Sequence, residues 1–320
     1  MTLGHRNPAV KTLNIETLHE IAMVSLRPPA TGRFLLTLDG QSTLLHDVDG
    51  GNVKASVVTV DMGTKQPPRK QISTLSYEPF SIAVDLAMGK PLAEWIDATL
   101  DLSPTRKSGT IVSTSFDYKA RSSRHFRDAL IEEITIPSMI ASSRQLAFVT
   151  IKFKPEEITY AKGDNAIQNV VNSRQKTWLC SNFRLRIGDL PCSRVSKIDS
   201  FTIRQSTSAQ TLDDVHDGAS DRTTVEFPNL KVTFSAVDLD PWHDWFNDFV
   251  ILGNNGPGRA VQGALEFLAP DVTDVLGTVG LSQVGIFALY REKSAPGADA
   301  VAHFAAELYV EKMTIKINDV

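Results

Sequence analysis

Ser76-Tyr77-Glu78-Pro79-Phe80-Ser81-Ile82-Ala83-Val84 runs on into Pro91-Leu92-Ala93-Glu94-Trp95-Ile96-Asp97. The same design returns 150 residues later, where Glu226-Phe227-Pro228-Asn229-Leu230-Lys231-Val232-Thr233-Phe234 runs on into Pro241-Trp242-His243-Asp244-Trp245-Phe246-Asn247. Phe80, Ile82 and Val84 fall on Leu230, Val232 and Phe234; Pro91, Trp95 and Ile96 fall on Pro241, Trp245 and Phe246. Solenoid units repeat every ~20–50 residues, so a period this long is one whole small domain present in tandem. A duplicated domain without an evident active site points to a repeated surface rather than to a catalyst.

Each copy reads outward from this segment as a β-rich unit of about six strands with one helix. Phe80 to Leu86 and Leu230 to Val237 are alternating strands. Pro91 and Pro241 suit the first helical position, and Asp240 is a suitable cap. Leu92, Trp95, Ile96 and Leu100 share one helical face, as do Trp242, Trp245, Phe246, Phe249 and Val250, so each helix must cover a sheet. Upstream, Gly32 to Asp39 and Asn182 to Gly188 alternate as opening strands, with Arg184 and Arg186 on the outer face. Second strands lie around Val53 to Val60 and Val195 to Ile203. Downstream come Gly109 to Ser115 and Arg127 to Ile136, matched by Gly263 to Leu268 and Gly285 to Tyr290. Each copy closes on an alternating strand (Val149, Ile151, Phe153; then Phe304, Ala306, Leu308), by now at an offset of 155.

The chain therefore divides into an arm over 1–30, a domain over 31–160, a linker over 161–177 and a second domain over 178–320. The expected fold is β-rich α+β: two small antiparallel barrels or sandwiches, each flanked by one helix. The copies differ most in a loop, Gly63 to Lys70 in the first and the acidic Ser206 to Arg222 in the second.

At 320 residues the chain holds two domains of ordinary size, and its 42% hydrophobic and 22% charged residues are globular in balance. A net charge of −4 argues against a dedicated nucleic-acid binder, which would carry a basic stripe. Cys180 and Cys192 have no partner at metal-binding spacing and read as free thiols of a reducing compartment. Ile21-Ala22-Met23-Val24 is too short for a signal core or a membrane span, so assembly in the cytoplasm without membrane insertion is expected.

The aromatic-Pro strand start, alternating strand, polar turn and Trp-Ile helix, with Gly32-Arg33-Phe34-Leu35-Leu36-Thr37-Leu38-Asp39-Gly40 ahead and Glu156-Glu157-Ile158-Thr159 behind, resemble the tail-tube proteins of contractile phages. Related tubes serve extracellular contractile injection systems and type VI secretion. The resemblance covers 31–160 and 178–318, once per copy, and is one of core positions. It implies a ring whose subunits lend strands to a hollow barrel, and rings that stack. A two-domain chain then implies a trimer with pseudo-six-fold symmetry, or six chains, in a tail tube or a baseplate hub. Its partners would be itself, stacked rings, sheath and baseplate proteins, with DNA or protein cargo passing through the lumen of a virion tail or injection particle. The alternative is a β-barrel binding or adaptor module that does not polymerise.

No catalytic, cofactor-binding or metal-binding residues are expected. Gly280-Leu281-Ser282-Gln283-Val284-Gly285 has one residue too many for a nucleophile elbow and reads as a loop and strand start. Gly253 to Arg259 lacks the Lys-Ser/Thr pair of a phosphate loop. Asp213, Asp214, His216, Asp217 and Asp221 lack EF-hand spacing and read as a solvated stacking loop. Asp47-Val48-Asp49-Gly50-Gly51 reads as a turn with two acids. His243 and Asp244 point away from the tryptophan face, and His125 with Arg121, Arg124 and Arg127 forms a basic patch suited to a neighbouring acidic loop.

Overall fold

A computed structural model describes residues 32–62, 67–103, 105–167, 178–208, 222–256, 258–293 and 302–318. The N-terminal arm, the acidic run 213–221 and most of the segment read as a linker lie outside the described residues. In chain order the strands are β1 (Arg33–Leu38), β2 (Gln41–Leu45), β3 (Asp47–Gly50), β4 (Val53–Val60), β5 (Arg69–Tyr77), β6 (Phe80–Val84), β7 (Lys107–Thr114), β8 (Ala120–Ile136), β9 (Met139–Ile140) and β10 (Val149–Lys154). They continue as β11 (Glu157–Lys162), β12 (Phe183–Ile187), β13 (Val195–Ile198), β14 (Phe201–Ser208), β15 (Arg222–Glu226), β16 (Leu230–Ser235), β17 (Val261–Leu268), β18 (Val275–Arg291) and β19 (His303–Ile317). The helices are α1 (Lys90–Leu100) and α2 (Leu239–Phe246), the latter running on into a π-helical turn, Asn247–Ile251.

All strand pairs are antiparallel, and one order of strands occurs twice. The first sheet contains the path β1-β7-β8-β10-β6-β3; the second contains β12-β17-β18-β19-β16-β13. The registers agree as well. Val48↔Ile82 and Ile198↔Val232 are the same pair moved by 150 at both ends, as are Lys54↔Ser76 and Arg204↔Glu226. Ile134↔Ile151 and Leu289↔Ala306 are likewise one pair moved by 155. Even the bulge recurs: Glu132 is skipped between Ile131 and Glu133, and Phe287 between Ile286 and Ala288. A bulge bends its strand and raises local twist, so β8 and β18 share a curvature as well as an order.

Local chemistry accounts for the elements. Asp39 and Gly40, at φ 48° and 79°, form a two-residue Asp-Gly turn that folds β2 back on β1. At Gly109 a Cβ would sit 2.6 Å from the Thr37 carbonyl oxygen, and at its counterpart Gly263 one would sit 2.9 Å from that of Arg186. Close approach of two strands demands glycine at both places. Helix α1 begins at Lys90 after Gly89 with no side-chain cap, and Pro91 stands in its first turn.

Asp240 does not cap α2. Ser235 accepts a hydrogen bond from the Val237 amide (3.3 Å) and starts a 3₁₀ turn that carries the chain into the helix one turn earlier, leaving Asp240 inside the first turn. Asp47 to Gly50 form strand β3 rather than a turn, paired along β6. The expected strand Val195 to Ile203 is two strands. Gly280 to Gly285 lie inside the 17-residue strand β18, so the serine there sits on a sheet and not at an elbow.

The core is continuous through the chain. Phe80, Phe126 and Phe153 pack with centroids 5.0–5.9 Å apart, and Trp95 sits 5.4 Å from Phe153. Phe234 stacks on Trp242 at 4.6 Å, and Trp178 packs tilted against Phe267 at 4.3 Å. Each fully buried apolar side chain of this size contributes about 2–3 kcal/mol. Ile134, Ile136 and Met139 share that core with Ile198, Phe201 and Ile203, so the two halves of the chain bury one another's strands.

Candidate assembly interface

The most informative surface is the junction between the halves. Strand β14 leaves its own half and adds to the edge of β8, pairing Phe201↔Ile136, Thr202↔Thr135, Ile203↔Ile134 and Arg204↔Glu133. It lies on the side of β8 that β7 occupies farther down, opposite β10. Alternation decides what each residue does there. Phe201 and Ile203 turn into the core; Thr202 and Thr135 meet at 2.8 Å between their hydroxyls. Ser200 Oγ donates to the Ile136 carbonyl at 2.9 Å. Two further seams close the junction: β9 pairs β13, and α1 packs against β19, with Lys312 Nζ 3.0 Å from Asp101 Oδ1. Trp95, Ile96 and Leu100 are accordingly at most 1% exposed.

Among the described residues the hairpin of the first half has no such host: strands β4 and β5 pair only with each other, and Val57, Ile72 and Leu75 are 63%, 76% and 54% exposed. At its root, Lys54 and then Asn52 bond Glu78 and hold its carboxyl below the usual range. On the edge of β4, Tyr160 Oη donates to the Gly51 carbonyl (3.0 Å) and accepts from the Val53 amide (3.2 Å). Arg124 lies beneath, donating to the Gly50 carbonyl at 2.7 Å over the Phe80 ring. Its partial burial lowers its pKa from the ordinary value.

The remaining residues singled out from sequence do not converge. The basic patch is divided by strand alternation: Arg124 turns under β4, Arg127 pairs Glu157 at 3.1 Å, and Arg121 reaches Asn165. His125 stands between the hydroxyls of Thr110 (2.9 Å) and Ser123 (3.1 Å) beside an open cleft. His243 and Asp244 are exposed, as expected. Arg259 closes the loop after α2 onto Asp248 at 2.7 Å. A larger cleft of about 500 Å³ lies where β8, β14 and β15 meet, lined by Arg106, Glu132, Glu133, Lys154, Glu156 and Arg204 among others. Two of its acids are engaged, Glu156 by Arg106 at 2.8 Å and Glu133 by the neighbouring Lys152 at 3.4 Å. Among the described residues, no group of three His, Cys, Asp or Glu side chains is placed to hold a metal ion. Both cysteines are free; burial pushes the Cys192 thiol up to about 11 and raises that of Cys180. No helix among the described residues is long and apolar enough to cross a membrane.

The sequence reading missed this junction because it is made by main-chain edges, which carry no residue signature. The one available signal was the alternation Phe201, Ile203, Gln205 against the unalternating, solvent-tolerant Val53 to Val60.

No protein-family model matches the chain, and no curated protein matches it. Solved structures similar to it include an electron cryomicroscopy structure of the anti-feeding prophage tube-terminating cap (19% identity, TM-score 0.39, covering 44% of this chain and 95% of that one). Another is the sheath-tube complex of an extracellular contractile injection system in its extended state (18%, 0.39, 45% and 97%). A third is the sheath/tube terminator of such a system (17%, 0.37, 43% and 99%).

Proposed function

We propose that this chain is a structural, self-assembling component of a contractile tail or phage-tail-like injection particle, without catalytic activity. In this reading its two halves are tandem tube-like domains, and three chains close into a ring of six domains around a lumen. One observation carries the proposal: the two halves share strand order, register and bulge, yet meet head to tail, a strand of the second on the edge of the first. A head-to-tail contact between equivalent units generates a ring or an open filament and does not terminate in a pair. The sequence resemblance names the class of particle. The partners are then further copies of the chain, stacked rings, sheath and baseplate proteins, with cargo passing through the lumen, and the setting is the tube or the hub of the baseplate.

Native mass spectrometry of the purified chain, with negative-stain images of the same sample, tests this. The expected species is a closed ring of three chains. A strictly monomeric protein at micromolar concentration, with no rings on the grid, overturns the reading and returns the chain to the class of discrete β-barrel adaptors.

A further inference from the structure

The in-chain junction has two complementary sides, and the chain carries an unused copy of each. The side offered by the first half is the edge of β8 together with the face of α1. Its counterpart on the second half is the edge of β18 together with the face of α2. There β19 covers one side of β18 from Gly277 to Arg291, while β17 covers the other only from Val275 to Val284. Beyond Val284 that second side has no strand among the described residues. Leu289 is half-buried and Arg291 exposed, where their counterparts Ile134 and Ile136 are buried, and Phe287 and Tyr290 beside them are 40% and 39% exposed. The helix repeats the contrast: Trp95, Ile96 and Leu100 are sealed, but their counterparts Trp245 and Phe246 are half-buried and Val250 is exposed.

The side offered by the second half is the β14 edge, and its counterpart is the edge of β4. That edge is held by the Tyr160 hydroxyl at the two main-chain groups, Gly51 C=O and Val53 N–H, whose counterparts belong to the β8-pairing residues Phe201 and Ile203. An unpaired edge is a template for another strand, and buried main-chain groups must find partners.

Resting on the ring reading above, we infer that the edge of β4 in one chain adds to the free edge of β18 in the next, in the register of the in-chain junction. The offsets of 150 and 155 fix that register. Gly51 faces Arg291, Asn52 faces Tyr290, Val53 faces Leu289 and Lys54 faces Ala288, as Phe201, Thr202, Ile203 and Arg204 face Ile136, Thr135, Ile134 and Glu133. The occupant of each surface is a second copy of this chain. The hydroxyl of Tyr160 gives way to the incoming strand, and the half-exposed aromatic face of α2 is covered at the same step, as that of α1 is by β19.

Disulfide trapping tests the register. Thr135 and Thr202 lie side by side, so T135C/T202C supplies the in-chain standard, closing within one chain and migrating as a monomer. The test pair is Asn52→Cys with Tyr290→Cys, with each single variant as control. Expected on non-reducing gels is a covalent ladder that ends in a closed species, at least tenfold above either single variant. Rings by native mass spectrometry, with the standard closed but no ladder from the test pair, overturn the edge pairing and leave the ring reading standing. Absence of both rings and ladder overturns the two together. Hydrogen exchange on the unmodified protein provides a reading free of substitutions. Amides of 287–291 gain protection in the ring fraction relative to single chains, and equal exchange in the two fractions counts against the pairing.

Discussion

Trp95 and Trp245 occupy equivalent places in the two helices, and removing each in turn measures what covers them. Trp95 is fully buried, packs on Phe153 and donates its indole N–H to the Thr105 carbonyl at 2.7 Å. Truncation to alanine at such a site costs about 3–5 kcal/mol, the sum of lost transfer energy and the cavity left behind. Trp245 touches Trp242 and Phe249 at centroid distances near 6 Å and keeps part of its ring in solvent. Because part of its ring stays in solvent and its site is open to water, its truncation costs less, about 1–2 kcal/mol, in the single chain. The difference of about 2 kcal/mol is a factor of roughly thirty in the unfolding constant. In urea, with a slope of about 3 kcal/mol per molar, W95A lowers the midpoint by about 1–1.7 M and W245A by about half a molar. The measurement is made on the fraction that native mass spectrometry shows to be single chains. In the ring fraction the ranking changes, because W245A there also loses the neighbour's cover and releases chains at lower urea. Equal midpoint shifts in single chains, or a ring whose dissociation W245A leaves untouched, would refute the reasoning.

Three further outcomes follow from particular contacts. Asp238 is 5% exposed and receives Arg194 Nη1 at 2.8 Å, while its other oxygen is buried without a hydrogen-bond partner; R194A therefore lowers stability by about 1–3 kcal/mol in urea melts, and D238N in that background recovers part of it. With its pKa pushed up to about 11 chiefly by burial, Asp238 adding to the rise and the Ile187 backbone hydrogen bond opposing it, the Cys192 thiol is only about 10⁻³ ionised at pH 8, against about a quarter for an ordinary thiol, so a chromogenic disulfide reagent titrates it in native protein at least tenfold more slowly than in urea. A methyl at Gly109 meets the Thr37 carbonyl, Leu38 and Phe126 all within 2.8 Å, so G109A costs about 1–3 kcal/mol by calorimetry, and G263A, with one contact below 3.0 Å and two at 3.4 Å, costs less.

The sequence disclosed the repeated parts and concealed how they meet. Phe80, Ile82 and Val84 with Trp95, and Leu230, Val232 and Phe234 with Trp242, are side chains buried by their own half, and periodicity reports such burial directly. The Asp39-Gly40 pair is a hairpin signal that the sequence carries, yet the sequence reading places the second strand at Val53 to Val60 and misses β2. The places where reading failed are governed by the main chain or by neighbours. The helix start at Leu239 depends on a 3₁₀ turn set by Ser235. The extent of β18 through Gly280 and Gly285 depends on β19 alongside, since glycine in a strand is tolerated when pairing supplies what propensity does not. The junction of β14 on β8 is written in carbonyls and amides that every residue has. For the same reason Val57 reads as an ordinary strand residue, although it lies on a hairpin that among the described residues pairs with nothing but itself.

Joining the two halves in one chain changes the energetics of a ring. Every association between free bodies gives up about 4–15 kcal/mol of translational and rotational freedom. A covalent tie replaces that loss at alternate seams with an effective concentration on the order of millimolar. Against chains at micromolar concentration this is a factor of about 10³, or about 4 kcal/mol per seam. The in-chain seam thus forms with the fold itself, and its strand β14 has become a core element, with Phe201 and Ile203 buried like any interior residue. The between-chain seam of the proposed ring has the opposite character: among the described residues the β4 edge is tied to a tyrosine hydroxyl, and its hairpin stands in solvent. In that proposal the contact waits for its partner and has to be soluble alone, which accords with Lys54, Arg69 and Lys70 accompanying the exposed valines on that hairpin, charge being a common guard on an unpaired edge. The proposed ring thus gives the two hairpins one register and two surfaces, because one seam closes at folding and the other at assembly.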